Sequence, residues 1–283
     1  MLSIANEKEA KVSKAARLRL RDGILENLLV GISQSPVSNL IVLRGGGALH
    51  FVYSSPRYSA DVDFAAPKLD ADRQKIIEMG LGLKFAINDL PIYPELRADN
   101  ENNLRIAYVV EPTKKGAESE SDLRFKYASP KTREFADVSG KLEVVRDLPG
   151  KSRQSTGKYA PLIVETPDQI YADKIFANLN RMLTRDSIKG TDLFDLEWIS
   201  TNFEDGMASE SMIEERARCR DHQGWSKDIL EKVLKFIYAK DHHQGFQRQF
   251  RRSMDPDFYQ STTFDSAFFE KAAQHYERIR KAI

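Results

Sequence analysis

The sequence predicts an α+β chain: a mixed sheet with helices over residues 1–165, then a helical bundle over residues 166–283. Three observations carry that expectation. Short apolar or alternating runs recur through the first half, which is the pattern of strands. After Pro161 the apolar residues recur at helical spacing instead. Between the two, Thr166-Pro167-Asp168 supplies an N-cap residue, a proline at the first helical position and an acid in the first turn, so a helix starts there.

In chain order, residues 7–33 read as a long helix, with Ala15, Leu18, Leu25, Leu28, Leu29 and Ile32 near helical spacing. Asn39–Leu43 is a short buried strand, punctuated by Gly45-Gly46-Gly47, and Ala48–Tyr53 has helical propensity. Ala60–Ala65 is a second strand and Asp70–Asn88 a second long helix. Leu104–Val110, Leu123–Tyr127 and Val138–Arg146 complete the strands. Glu111–Ser121 and Pro149–Gly157 are loops, rich in Gly, Ser, Pro and charge. Asp168–Leu183, Thr191–Thr201, Glu210–Arg220, Ser226–Lys240 and Asp265–Lys281 form the bundle.

Composition excludes several function classes. Lys+Arg number 43 and Asp+Glu 42, a formal net charge of +1. Bulk charge therefore does not drive the chain onto nucleic acid or an anionic membrane. No apolar run is long enough to span a bilayer, and the N-terminus lacks an apolar signal segment. A single cysteine, Cys219, excludes an internal disulfide. The expectation is a soluble, reduced, cytoplasmic protein without a membrane partner.

The chemistry concentrates in Arg44-Gly-Gly-Gly-Ala-Leu-His50 and Arg57-Tyr-Ser-Ala-Asp61-Val-Asp63-Phe64. Strand alternation places Asp61 and Asp63 on one face, Val62 and Phe64 on the other. Two adjacent carboxylates repel unless a cation lies between them. A hard ion such as Mg²⁺ takes a few carboxylate oxygens and keeps other positions for water or phosphate. Three glycines between strand and helix let backbone N–H groups approach a phosphate closely. Together they are the two parts phosphoryl transfer needs. Asp70-Ala-Asp72 and Asp255-Pro-Asp257 repeat the acidic spacing without the glycines, and read as a helix start and a turn.

With these residues in view, the stretch resembles the polymerase-β-type nucleotidyltransferase fold, and more narrowly the AbiEii/AbiGii toxin family. Gly45, Gly46, Leu49, Arg57, Ser59, Asp61, Asp63 and Phe64 fit the family signature, while Arg44 stands for its Lys and Gly47 for its Thr or Ser. Gly47 thereby lacks a hydroxyl that the signature would offer to phosphate. Lys141-Leu-Glu143 matches a Lys-x-Asp/Glu element. On a strand both side chains share a face, so Glu143 suits a third metal ligand or general base and Lys141 a phosphate contact. Gln169-Ile-Tyr-Ala-Asp173-Lys174 matches a third element. Gln169 and Asp173 share a helix face, and Lys174 lies beside the apolar stripe of Ala172, Ile175, Phe176, Leu179 and Leu183. Asp192 and Asp195, after Arg185 and Lys189, resemble a fourth element. Capping alone explains Asp192; Asp195 is expected to orient Lys174.

The resemblance implies Mg²⁺-dependent transfer of a nucleotide from an NTP to an acceptor hydroxyl, with RNA or tRNA as acceptor and an antitoxin as partner. It implies catalytic roles for Asp61, Asp63, Glu143 and Lys174, with metal on the first three. Gly46, Gly47, Arg57, Ser59, Lys141, Asp173, Lys174, Asp192 and Asp195 are the expected nucleotide contacts. A small-molecule nucleotidyltransferase of the aminoglycoside type and a silent nucleotide-, RNA- or protein-binding scaffold are the alternatives.

Other signals are weak. Gly150-Lys151-Ser152 has Val145 where a Walker A loop needs glycine. His242-His243 reads as a polar loop, and His50 as facing the active cleft or capping a helix turn. Lys8, Lys11, Lys14, Arg17 and Arg21 form a basic helical stripe; Arg248, Arg251 and Arg252 lie among Phe246 and Phe250. Both read first as solvated faces over core aromatics, and second as nucleic-acid contacts.

Overall fold

A computed structural model describes residues 18–19, 21–66, 70–87, 90–100, 103–109, 121–127, 159, 162–219 and 226–282. The expected strand Val138–Arg146, with Lys141 and Glu143, lies outside the described residues, as do four members of the N-terminal basic stripe. The chain forms two compact units. The first holds residues 1–54 and 58–164, the second Ser55–Arg57 and Glu165–Ile283.

In the first unit, helix α1 (21–33) buries Ile24, Leu25, Leu28, Leu29 and Ile32 completely. Their spacing follows the helical period, and each contributes about 1.5–3 kcal/mol by leaving water. The sheet comprises β1 (Val42–Arg44), β2 (Asp61–Ala66), β3 (Phe85–Ile87), β4 (Leu90–Asn100), β5 (Asn103–Val109), β6 (Ser121–Tyr127) and β7 (Ile163–Val164), in the order β3-β4-β5-β6-β2-β1-β7. It is mixed: β1 runs antiparallel to β2 and parallel to β7, and β2 runs parallel to β6. Helix α2 (Gly45–Phe51) follows β1 directly, and α3 (Asp70–Gly82) follows β2.

Three expectations change here. Helix α3 stops at Gly82 instead of Asn88, because 85–87 is recruited as strand β3. Strand β4 was not foreseen, since Pro91 and Pro94 suggest a loop. Prolines are tolerated near a sheet margin, where a missing N–H costs few ladder bonds: Pro91 faces Ala86 of the three-residue edge strand β3, and Pro94 lies beyond that pairing. The glycines, expected as a loop between strand and helix, form the first turn of α2 itself.

The second unit is helical: α4 (Pro167–Arg185), α5 (Gly190–Asn202), α6 (Glu210–Cys219), α7 (Lys227–Tyr238), α8 (Lys240–Ser253), α9 (Pro256–Ser261) and α10 (Ser266–Ala282). Gln169 Oε1 accepts from Thr166 N at 3.3 Å, half of a capping box, so this motif glutamine serves the start of α4. Met182 is buried where Leu183 was expected; Leu183 is 48% exposed. Helix α8 corrects the polar-loop reading of His242-His243. His242 stacks on Phe236 and His243 on Phe269, at centroid distances of 3.7 and 3.8 Å. Phe246 and Phe250 are buried, and Phe250 packs on Phe264 at 4.7 Å. Asp255 caps α9, its Oδ1 accepting from Asp257 N at 3.0 Å and Phe258 N at 3.2 Å. That spacing is a helix start rather than the expected turn.

Candidate active site

The first unit carries the glycine turn and the paired acids. Val62 and Phe64 are fully buried, and Asp61 and Asp63 are half-buried on the opposite face of β2. The apolar pair fixes β2 in the core, and the period-2 geometry then turns both carboxylates to the other side. Antiparallel pairing sets Arg44 across from Asp63, so a cation accompanies the acids on the neighbouring strand. On the other flank, parallel β6 brings Asp122 to the register of Asp61 and Arg124 to that of Asp63. Asp122 escapes the reading of the sequence, which begins this strand at Leu123, two residues after its actual start at Ser121.

Gly45 has φ +60°, a left-handed conformation that glycine adopts without penalty. Gly47 is where α2 approaches β2. A Cβ there would lie 3.0 Å from Val62 Cγ1 and 3.5 Å from the Asp61 carbonyl oxygen. The departure from Thr or Ser at this position thus coincides with tight packing against the acid-bearing strand. Ser59 is buried, and its Oγ donates to the Asp61 carbonyl at 2.7 Å, shaping the entry to β2. His50 meets Asp22 of α1 at 2.8 Å and packs on Tyr58.

The second unit collects Arg57, Lys174, Asp192 and Asp195 in one buried network. Arg57 donates to Asp195 through two nitrogens, Nε to Oδ1 at 2.6 Å and Nη2 to Oδ2 at 2.7 Å. Lys174 Nζ lies 2.8 Å from Asp192 Oδ1 and 2.7 Å from Asp195 Oδ2. Arg181 pairs with the remaining oxygen of Asp192. Asn178, fully buried, accepts from Lys189 N at 2.9 Å and donates to Tyr276 Oη at 3.0 Å. Asp173, beside Lys174 in sequence, is half-buried.

Electrostatics hold this network charged. Burial alone would push the Asp192 carboxyl up, but Lys174, Lys189 and Arg181 outweigh it and hold it well below the carboxylate range. Burial opposes the charge of Asp195 likewise, and Arg57 and Lys174 reverse the balance downward. The Lys174 ammonium, desolvated, is nonetheless raised by Asp192 and Asp195. Lys189 is lowered: the surrounding protein desolvates its ammonium, and Lys174 and Arg57 repel it. Its side chain nevertheless reaches solvent.

No group of three or more metal-ligating side chains comes together among the described residues. The donor set at Asp61 and Asp63 suits a hard divalent ion: two hard oxygen donors on one strand face, half-open to further oxygen ligands. No helix among the described residues is long and apolar enough to cross a membrane.

A family model described as "Nucleotidyl transferase AbiEii toxin, Type IV TA system" matches residues 27–272. No curated protein matches the chain. Among solved structures, the chain resembles MenT4, a nucleotidyltransferase toxin from Mycobacterium tuberculosis H37Rv, with TM-score 0.51 and 15% identity, covering 94% of each chain. It also resembles JHP933 from Helicobacter pylori, with TM-score 0.46 and 15% identity over 93% of this chain and 91% of that one.

Proposed function

The chain belongs to the AbiEii family of nucleotidyl transferase toxins of type IV toxin–antitoxin systems, and on that premise we propose that it moves an NMP from an NTP to a hydroxyl of RNA or tRNA. The observation that carries this reading is the pair Asp61 and Asp63, half-open on one strand face beside a glycine turn with Arg44 in register.

In this reading the acceptor oxygen attacks the α-phosphorus, the bond to pyrophosphate breaks, and the hydroxyl proton passes to a carboxylate base. Asp61, Asp63 and Glu143 would hold Mg²⁺, which when bound offsets the charge developing on the phosphate oxygens. Gly46 and Gly47 cradle phosphate through the backbone, and Ser59 holds the strand entry that presents the acids. Lys141 contacts phosphate. Lys174 and Arg57 keep positive charge fixed in the second unit, with Asp192 and Asp195 orienting them and Asp173 alongside. An antitoxin is the partner that the family implies.

The test is transfer of label from α-³²P-NTPs to total RNA, with and without Mg²⁺. Native protein labels RNA in the presence of Mg²⁺, and Asp61→Asn or Asp63→Asn lowers the rate by at least about a hundredfold with an unchanged melting temperature. Labelling of small metabolites alone, or nucleotide binding unaffected by loss of both acids, refutes the proposal.

A further inference from the structure

We propose that the outer face of α8, with Lys189 beside it, is the surface on which the phosphate backbone of the acceptor RNA lies. The inference rests on the RNA-acceptor reading above and assigns residues to it. At about 100° per residue, buried Phe246 and Phe250 define the inward direction of α8, and Arg248, Arg251 and Arg252 centre on the opposite side. All three are exposed. Among the described residues none of them has a carboxylate within ion-pair distance.

That arrangement is unfavourable by itself. Arg248 is three residues from Arg251 and four from Arg252, positions at which like charges on a helix destabilise it. The helix C-terminus offsets part of this for the last turn, which holds Arg251 and Arg252 but not Arg248. A polyanion offsets it for all three, and guanidinium groups suit phosphate oxygens.

The surface continues into the network side of the unit. Gly190 N donates to Gln249 Oε1 at 2.9 Å, and a Cβ on Gly190 would meet Phe246 at 2.7 Å. The start of α5 is thus pressed against α8 at Phe246 and Gln249, and the residue preceding Gly190 is Lys189. Lys189 is exposed, and of the charges that act on it Asp192 comes first, then the cations Lys174 and Arg57, then Asp195. Lys189 therefore adds an exposed cation to the unit that carries the α8 arginines.

The experiment compares the full chain with R248Q/R251Q/R252Q and with K227Q/K232Q/K235Q, which removes the same charge from exposed positions of α7. Binding of fluorescein-labelled bulk tRNA is followed by anisotropy between about 50 and 300 mM KCl, with ATP binding and melting temperature measured in parallel. The arginine variant binds tRNA about tenfold more weakly at low salt. Its salt slope is shallower by about 2, three contacts at ~0.7 each. ATP binding stays unchanged, and the melting temperature does not fall. The α7 variant keeps the wild-type slope. An arginine variant with the wild-type slope, or an α7 variant that loses as much, overturns the inference while labelling of RNA by native protein leaves the broader reading standing. Loss of binding to an acidic protein with tRNA binding intact also overturns it. Native protein that neither binds nor labels RNA overturns both readings.

Discussion

Asp195 shows how much depends on one side chain. It is fully buried, and both its oxygens are taken by Arg57 and Lys174. Asp195→Asn leaves two buried cations short of a counter-charge. It is expected to lower the unfolding free energy by about 3–5 kcal/mol, read from urea denaturation. Half-buried Asp61, whose replacement tests the chemistry, is expected to leave the urea midpoint close to wild type. The difference separates residues that hold the unit together from residues that face outward. Sequence spacing revealed the second kind fully: the alternation of Asp61, Val62, Asp63 and Phe64 orients each side chain without further information. It gave only part of the first. Asp192 and Asp195 announce a helix start, but Arg57 is 138 residues from Asp195, and no local pattern encodes a pair at that separation.

At the scale of elements, α2 and β2 are locked by the absence of a side chain. Gly47→Thr restores the hydroxyl of the family signature, yet its Cβ must displace Val62. We expect a loss of about 1–3 kcal/mol in thermal unfolding, relieved by adding Val62→Ala, which opens room at the contact. Equal stability of Gly47→Thr and native protein would show that Val62 yields freely. Helix starts were the most legible elements, since Thr166-Pro167-Asp168 and Asp70-Ala-Asp72 carry their own capping chemistry. Helix α8 and strand β4 were less so. Two histidines that stack on Phe236 and Phe269 look polar in a sequence, and the prolines of β4 look like breaks, although the strand lies next to the short edge strand β3.

Over the whole molecule, the buried charges set the pH range of stability. Asp192 and Asp195 are held below the usual carboxylate range. Their contribution is complete above about pH 4–5, and is lost as pH falls below the ordinary carboxylate value toward their lower folded values. Lys174 is raised, so its contribution is present below the ordinary lysine value and is lost only as pH climbs through its higher folded value. Urea midpoints are therefore expected to plateau through neutral pH and fall on the acid side, with a flatter acid limb in Asp192→Asn once its general destabilisation is subtracted. An acid limb identical to that of native protein would assign the loss to other carboxylates.

The three residues Ser55–Arg57 belong to the helical unit although their chain neighbours on both sides do not. The backbone crosses the boundary three times, so a single cut cannot divide this protein into two self-sufficient pieces. A fragment ended at residue 164 would keep the guanidinium of Arg57 and discard the carboxylate it grips; its complement would retain that carboxylate with an empty place beside it. For an enzyme whose family is built to harm, one consequence is that half a gene is not half a weapon.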